Sequence, residues 1–310
     1  LSHLTPEYLK NPVSTLEKIR DELFQNLSSC TLCPNKCQVN RLKGELGICQ
    51  APNFLKLGSF AVHPGEEPSI SGTNGSGTIF YSHCTLRCIY CQNYPLSQLH
   101  HGKKYTTDEL SDIFLSLQKK GCHNINMVSP TQFLPFMLDA LIKAREKGLT
   151  IPIVYNTSGW ENEWIVKLLH YFVDIFLVDS RYSSNETAFA YSGCRSYVEV
   201  NQKALQLMAE RYPKALFDQE IMQKGIIVRV LVLPEHSTET IQILRHLKYW
   251  LGTDIHISLM SQYFPCWKAL EHPTLNRRIT TEEYEEVCTA LETLGFSKGW
   301  TQDHESNETN

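Results

Sequence analysis

The chain has 310 residues, 42% of them hydrophobic, and a formal net charge of −4. That length supports one large domain with an accessory, and the balance of charge does not point to a nucleic-acid partner. No apolar run approaches the roughly 18 residues of a membrane span, and no secretory h-region opens the chain, although Leu1 in place of Met points to a trimmed or incomplete start. Of eleven cysteines seven fall in two clusters, which reads as metal chemistry in a reducing cytosol and not as a secreted disulfide framework; the scattered Cys122, Cys194, Cys266 and Cys288 read as small buried hydrophobes.

In chain order, residues 1–29 read as a helical extension, with Leu16, Ile19, Leu23, Phe24 and Leu27 near helical spacing. Cys30, Cys33, Cys37 and Cys49 follow, spaced C-x2-C-x3-C-x11-C, with glycines beside Cys49 suited to a tight knuckle in which backbone N–H groups approach a sulfur. Four thiols can fill a tetrahedral zinc site or ligate an iron–sulfur cluster, and the spacing leaves both open. A closed four-ligand site argues for structure or electron transfer, not catalysis. Residues 50–76, rich in Gly, Pro and Ser, read as an irregular connection that completes a 30–76 module.

From Thr78 strand-like and helix-like segments alternate through about six units, to a last helix near Thr280–Leu294. A single helical stretch is expected within 185–211. The pattern predicts an α/β fold, a parallel sheet curled into an incomplete (βα)6 barrel over 77–302, with ligand groups at the strand C-termini and a 303–310 tail.

Just past the first of these strands lies Cys84-Thr-Leu-Arg-Cys88-Ile-Tyr-Cys91, three cysteines spaced C-x3-C-x2-C. Iron–sulfur cubanes normally take four cysteine ligands. Three from one loop leave an iron open, and an open position is what separates a catalytic metal site from a structural one. Buried structural cysteines or half of a zinc site are the plainer readings, but zinc sites usually pair two clips and no second clip follows. The other strand ends are polar: Ser129-Pro-Thr131, Asn156-Thr-Ser158, Asp179-Ser-Arg181, and Arg229 within the fifth strand. One such end is a turn or cap; polar ends on most units of one sheet fit a shared ligand.

The three-cysteine loop resembles the signature of the radical S-adenosylmethionine (radical SAM) superfamily. From about Cys30 to Gln302 the chain resembles its pyruvate formate-lyase-activating-enzyme group, in particular the PflX-like branch. The likeness is carried by Cys30-x2-Cys33-Pro-x2-Cys37, Gly44-Glu-x-Gly47-x-Cys49, the cluster loop with Cys91-Gln-Asn-Tyr, Asn156-Thr-Ser-Gly159, Asp179-x-Arg-Tyr182 and Gly299-Trp-Thr-Gln302. The resemblance implies that Cys84, Cys88 and Cys91 ligate a [4Fe-4S] cluster. It implies that Tyr90 lies near adenine, that Asp179 binds ribose, and that Arg181 takes the methionine carboxylate where related enzymes carry lysine. Asn156 stands where an aspartate often receives the SAM ammonium; Ser158 and Arg229 complete the expected cofactor contacts.

It further implies a cytoplasmic enzyme that cleaves SAM to methionine and a 5′-deoxyadenosyl radical. That radical then removes hydrogen from an acceptor, a glycine of a partner glycyl-radical enzyme being favoured over a peptide or small metabolite. A flavodoxin- or ferredoxin-type donor is expected, because no flavin motif is visible. A non-catalytic iron–sulfur or zinc scaffold is the non-enzyme alternative.

Overall fold

A computed structural model of the chain describes residues 4–302. The expected 303–310 tail and the first three residues of the extension lie outside the described residues. The strands are β1 Leu55–His63, β2 Ser76–Tyr81, β3 Lys103–Tyr105, β4 Ile125–Val128, β5 Ile153–Thr157, β6 Ile175–Asp179, β7 Leu216–Asp218, β8 Ile221–Leu231, β9 His256–Met260 and β10 Gly299–Thr301. The sheet order is β10-β9-β8-β6-β5-β4-β2-β1-β3, with β7 paired only to β8. Strands β2, β4, β5, β6, β8, β9 and β10 are parallel, each to its neighbour. Strands β1 and β3 are antiparallel at one edge. The order does not return on itself, so the sheet is open and not closed into a barrel.

The central strands β5 and β6 are buried at every residue, as continuous apolar runs are when both faces of a parallel sheet are covered. Tyr155, Phe176, Val178, Val228 and Val230 join the core that contains the surrounding helices. The alternate residues Val154, Ile175, Leu177 and Ile227 pack on Ile70 and Met222. Strand side chains alternate between faces. The face filled by Ile70 therefore carries Asn156, Asp179 and Arg229 further along β5, β6 and β8. This alternation places three polar side chains together above an apolar floor.

Several elements differ from the sequence reading, among them the short strands β3 and β7. The Gly-, Pro- and Ser-rich stretch 50–76 contains the nine-residue β1 and a short helix, Pro68–Ser71. Only Leu55 and Leu57 of β1 are buried and Ser59–Val62 are exposed, so no alternation marks it. The single helix within 185–211 is two, Asn185–Ser192 and Tyr197–Arg211, broken where Gly193 takes a left-handed conformation and closes on Phe189 O. β10 is an extra parallel strand, three residues long and too short to show a period. The helix Thr107–Lys119 starts with a capping box between Thr106 and Glu109. Among the described residues no helix is long and apolar enough to cross a membrane.

Candidate functional site

At the C-terminal ends of the parallel strands a cavity of about 230 Å³ is lined by Cys84, Cys88, Cys91, Tyr90, Asn156, Ser158, Asp179, Arg181 and Arg229. Every residue that the sequence singles out for the cluster or for SAM lies on this wall.

The cysteine loop follows β2 and is held by backbone bonds from Arg87 N to Ser192 O, 3.1 Å, and from Ile89 N to Tyr191 O, 2.8 Å. Each sulfur has a polar neighbour. Leu86 N donates to Cys84 Sγ at 3.5 Å, Ser192 Oγ to Cys88 Sγ at 2.9 Å, and Ser97 Oγ lies 3.1 Å from Cys91 Sγ. Arg181 Nη1 is 3.8 Å from Cys88 Sγ. Burial first, then the neighbouring Cys88, pushes the Cys84 thiol up to about 12 and raises Cys91. A coordinated metal would deprotonate such thiols outright. Three hydrogen-bonded sulfurs, Cys88 buried and Cys84 and Cys91 half-buried, at one end of a cavity and fixed charges at the other fit an open cluster with a zwitterionic ligand.

The charged end is one connected set. Asp179 accepts from Arg181 and, at 2.7 Å, from Arg229 Nε; Arg229 Nη2 donates to Asn156 Oδ1 at 2.7 Å. Burial alone would raise Asp179, but Arg229 and Arg181 outweigh it and hold the carboxyl below its usual range. Asp179 is buried and Arg181 is largely covered against the cavity wall, so this is not an ion pair on a solvated loop. Asn156 spends its carbonyl oxygen on Arg229 here, while Ser158 lends its own carbonyl to Tyr197 Oη at 2.7 Å. Tyr90 is buried, with its hydroxyl 2.7 Å from that of Tyr182.

Sequence reasoning missed Ser192, which donates to Cys88 from the end of a helix, and Glu66, which lines the cavity from the stretch that reads as irregular. It also missed Tyr182 as the link between Tyr90 and Ser192. A lone serine near a helix end carries no signal; the Tyr in Asp179-x-Arg-Tyr182 is visible as part of a motif, without its role.

The four N-terminal thiols form a separate knot. Cys30 N bonds to Val39 O and Gln38 N to Cys30 O; Ile48 N donates to Cys37 Sγ at 3.4 Å. A side chain at Gly47 would put its Cβ 2.9 Å from Cys37 Sγ, so the knuckle needs glycine there, against Cys37 and not Cys49. Burial first, then the charges of Cys49, Cys30 and Cys37, raises Cys33, which places all four thiols in one mutual field. Among the described residues no three His, Cys, Asp or Glu side chains are gathered into a single-ion metal site. Nor do the thiols alone hold the segment. Arg41, 1% exposed, ties it to Gln132 O, in the turn after β4, at 2.8 Å and to Pro52 O, later in the same segment, at 2.6 Å.

A protein-family comparison matches residues 78–241, a little over half of the chain, to the Radical SAM superfamily. Among curated proteins, an uncharacterized protein of Methanocaldococcus jannaschii is 29% identical over 297 residues, covering 92% of this chain and 79% of the relative. A second uncharacterized protein of that organism is 25% identical over 153 residues, 44% of this chain and 45% of the relative. Among solved structures, Streptococcus suis SuiB bound to its precursor peptide SuiA aligns with a TM-score of 0.49 at 12% identity, over 71% of this chain and 46% of SuiB. Native anSMEcpe with bound S-adenosylmethionine aligns with a TM-score of 0.46 at 15% identity, over 73% of this chain and 59% of the other. The chain thus spans about half the length of these structures. On the family match, the chain belongs to the radical SAM superfamily.

Proposed function

We propose that this chain is a radical SAM enzyme in which Cys84, Cys88 and Cys91 ligate the [4Fe-4S] cluster and the Asp179–Arg181–Arg229–Asn156 set holds SAM. The observation that carries the reading is that the three thiols of one loop and this ionic set line the same cavity. The cluster supplies, when bound, an open iron and the electron that cleaves SAM to methionine and a 5′-deoxyadenosyl radical. The protein's part is placement. Arg181 presents a guanidinium whose planar fork suits a carboxylate. Asp179, kept ionised by its two arginines, offers acceptor oxygens to ribose hydroxyls, and Tyr90 walls the cavity beside the cysteines.

The acceptor in this reading is a glycine Cα–H of a partner enzyme, on the likeness of the Cys30–Gln302 motifs to activating enzymes of the PflX-like branch. A flavodoxin- or ferredoxin-type protein is the donor, the cytoplasm the setting, and Cys30, Cys33, Cys37 and Cys49 hold a second metal. The 30–76 segment serves as the accessory to a 77–302 catalytic unit.

The test is the Cys84/Cys88/Cys91→Ala variant, purified anaerobically. Iron and sulfide analysis with Mössbauer spectroscopy should show one cluster lost, and 5′-deoxyadenosine formation should cease. Unchanged cluster content in the variant would sink the ligand assignment. Deuterium transfer into 5′-deoxyadenosine from Cα-deuterated glycine in a candidate partner identifies the acceptor; label arriving only from a peptide side chain or a small metabolite refutes the glycyl one.

A further inference from the structure

We infer that the N-terminal four-cysteine module is a redox relay: Cys30, Cys33, Cys37 and Cys49 hold an iron–sulfur cluster that passes electrons to the cluster at Cys84, Cys88 and Cys91. The inference rests on the ligand assignment proposed above for the second set.

Three hydrogen bonds join the two thiol sets. Asn35 Nδ2, between Cys33 and Cys37, donates to Thr85 O, beside Cys84, at 2.7 Å. Arg87 Nη1, beside Cys88, donates to Ile48 O, beside Cys49, at 3.1 Å. His83 Nδ1, beside Cys84, stands 3.2 Å from the carbonyl of Cys49 itself. Every link runs between a residue no more than two positions from a module thiol and a residue next to a cluster-loop thiol. Each path is a run of covalent bonds closed by one hydrogen bond; the Asn35 and His83 links are part-buried and the Arg87 link is exposed.

A structural ion would serve to fold the module and fasten it to the sheet. Arg41 already fastens it without a thiol, through one bond to Gln132 O in the turn after β4, while its second bond, to Pro52 O, stays inside the module. Three further bonds, all made at the thiol knuckles and all aimed at one loop, give the two thiol sets direct bonded routes to each other. Four cysteines also leave no open iron, so this cluster would not bind SAM. Hydrogen bonds to sulfur and exposure set a cluster's potential. Both sets carry such bonds, from Ile48 N to Cys37 Sγ and from Leu86 N to Cys84 Sγ, and Cys37 and Cys84 are both half-buried.

The electrons balance as a one-electron chain. A low-potential one-electron protein donor is oxidised as the module cluster is reduced. That cluster is reoxidised as the SAM-site cluster is reduced. The same electron then enters the S–C5′ bond, which breaks to neutral methionine and the 5′-deoxyadenosyl radical, and no proton moves.

The full chain, reconstituted anaerobically with iron and sulfide, should hold about eight irons, and Cys84/Cys88/Cys91→Ala about four. In that variant EPR after reduction with titanium(III) citrate should show one cluster that does not respond to SAM. Zinc in place of reducible iron would overturn the relay, as would no metal at all. In the wild type, reduced and then freed of reductant, the module signal should vanish in step with methionine formation. A module signal that survives SAM cleavage overturns the relay even where the cluster exists. In Cys30→Ser/Cys33→Ser the SAM-responsive signal should persist. Its loss from a chain that still holds a module cluster would overturn the assignment of Cys84, Cys88 and Cys91, and the relay with it.

Discussion

At the starts of β5 and β6, Glu7, Asp174, Lys224 and Arg211 form a closed ionic set; at the other ends of the strands, Asn156, Asp179, Arg181 and Arg229 form one that faces a cavity. In the closed set every carboxylate oxygen is spent. Glu7 accepts from Lys224, Arg211 at 2.6 Å and Lys10 at 3.2 Å; Asp174 accepts Glu7 N at 2.8 Å and Ile153 N at 2.9 Å. These bonds tie a segment near the N-terminus to strands far along the chain. In the open set the arginines hold Asp179 ionised, while all four side chains keep a face on the cavity. Buried charge alone therefore does not mark a site in this fold. One set fixes a terminus; the other is charged and has room beside it.

The largest expected effect separates the two ends most sharply. Lys224→Met leaves Asp174 and part of Glu7 buried without their shared cation. It should cost about 3–5 kcal/mol of stability near pH 8, read by denaturant titration under anaerobic conditions, with SAM affinity unchanged. Burial already raises Asp174 to about 7, so protonation relieves the deficit and the loss should shrink below that pH. A changed SAM affinity in this variant would merge the two ends and break the contrast.

Arg181→Ala is the reverse case. Asp179 keeps Arg229 at 2.7 Å, so the fold should lose little. Taking a charged partner out of a dry cavity should weaken SAM binding by on the order of 2–5 kcal/mol, roughly 30- to several-thousand-fold, by anaerobic calorimetry with full cluster iron retained. Near wild-type affinity would return Arg181 to a purely structural role beside Cys88.

The two ends were not equally legible in the sequence. The mouth was read from short motifs at strand ends, because loops after parallel strands converge by topology and the alternation in β5, β6 and β8 turns Asn156, Asp179 and Arg229 to one face. The closed set was invisible. Glu7 lies in a four-residue helix, and its partners stand 167 and 217 residues away, a separation no local pattern encodes. Strand β1 was missed for a related reason: its outer half is exposed, so its pairing with β2 rather than its own residues defines it. Arg41 stands four residues past Cys37, and only its burial shows that it fastens the module.

Glu161 sharpens the comparison from behind Thr157, which lines the cavity. It is buried, accepts from the hydroxyls of Thr131 and Thr157, both at 2.6 Å, and meets no cation among the described residues, so burial raises it from 4.5 to about 7. A carboxyl raised on folding contributes fully below its unfolded value and loses that contribution as pH rises through the folded one. The window is thus pH 4.5 to 7, and the loss across it is about 3 kcal/mol. Glu161→Gln has no proton to lose. The stability of wild type relative to this variant should fall between pH 4.5 and 7 and stay level above; a difference flat from pH 5 to 8 would show Glu161 ionised throughout.

The smallest effect tests whether the cavity wall is organised as well as charged. Tyr90, Tyr182, Ser192 and Cys88 are joined through side chains, with the Tyr182 hydroxyl central between Tyr90 and Ser192. Tyr182→Phe keeps the ring against Tyr191 and Tyr197 and removes only the hydroxyl. It leaves the Tyr90 hydroxyl buried without that partner, at a cost of about 1 kcal/mol. Ser192 Oγ keeps Cys88 but is no longer oriented by Tyr182. Donors to cluster sulfurs help set the reduction potential. Tyr182→Phe should therefore shift the potential of the SAM-responsive cluster while leaving SAM affinity within about twofold, as read by anaerobic EPR titration beside calorimetry. An unmoved potential with the same small stability loss would mean that the hydroxyls pack the wall without tuning what it holds.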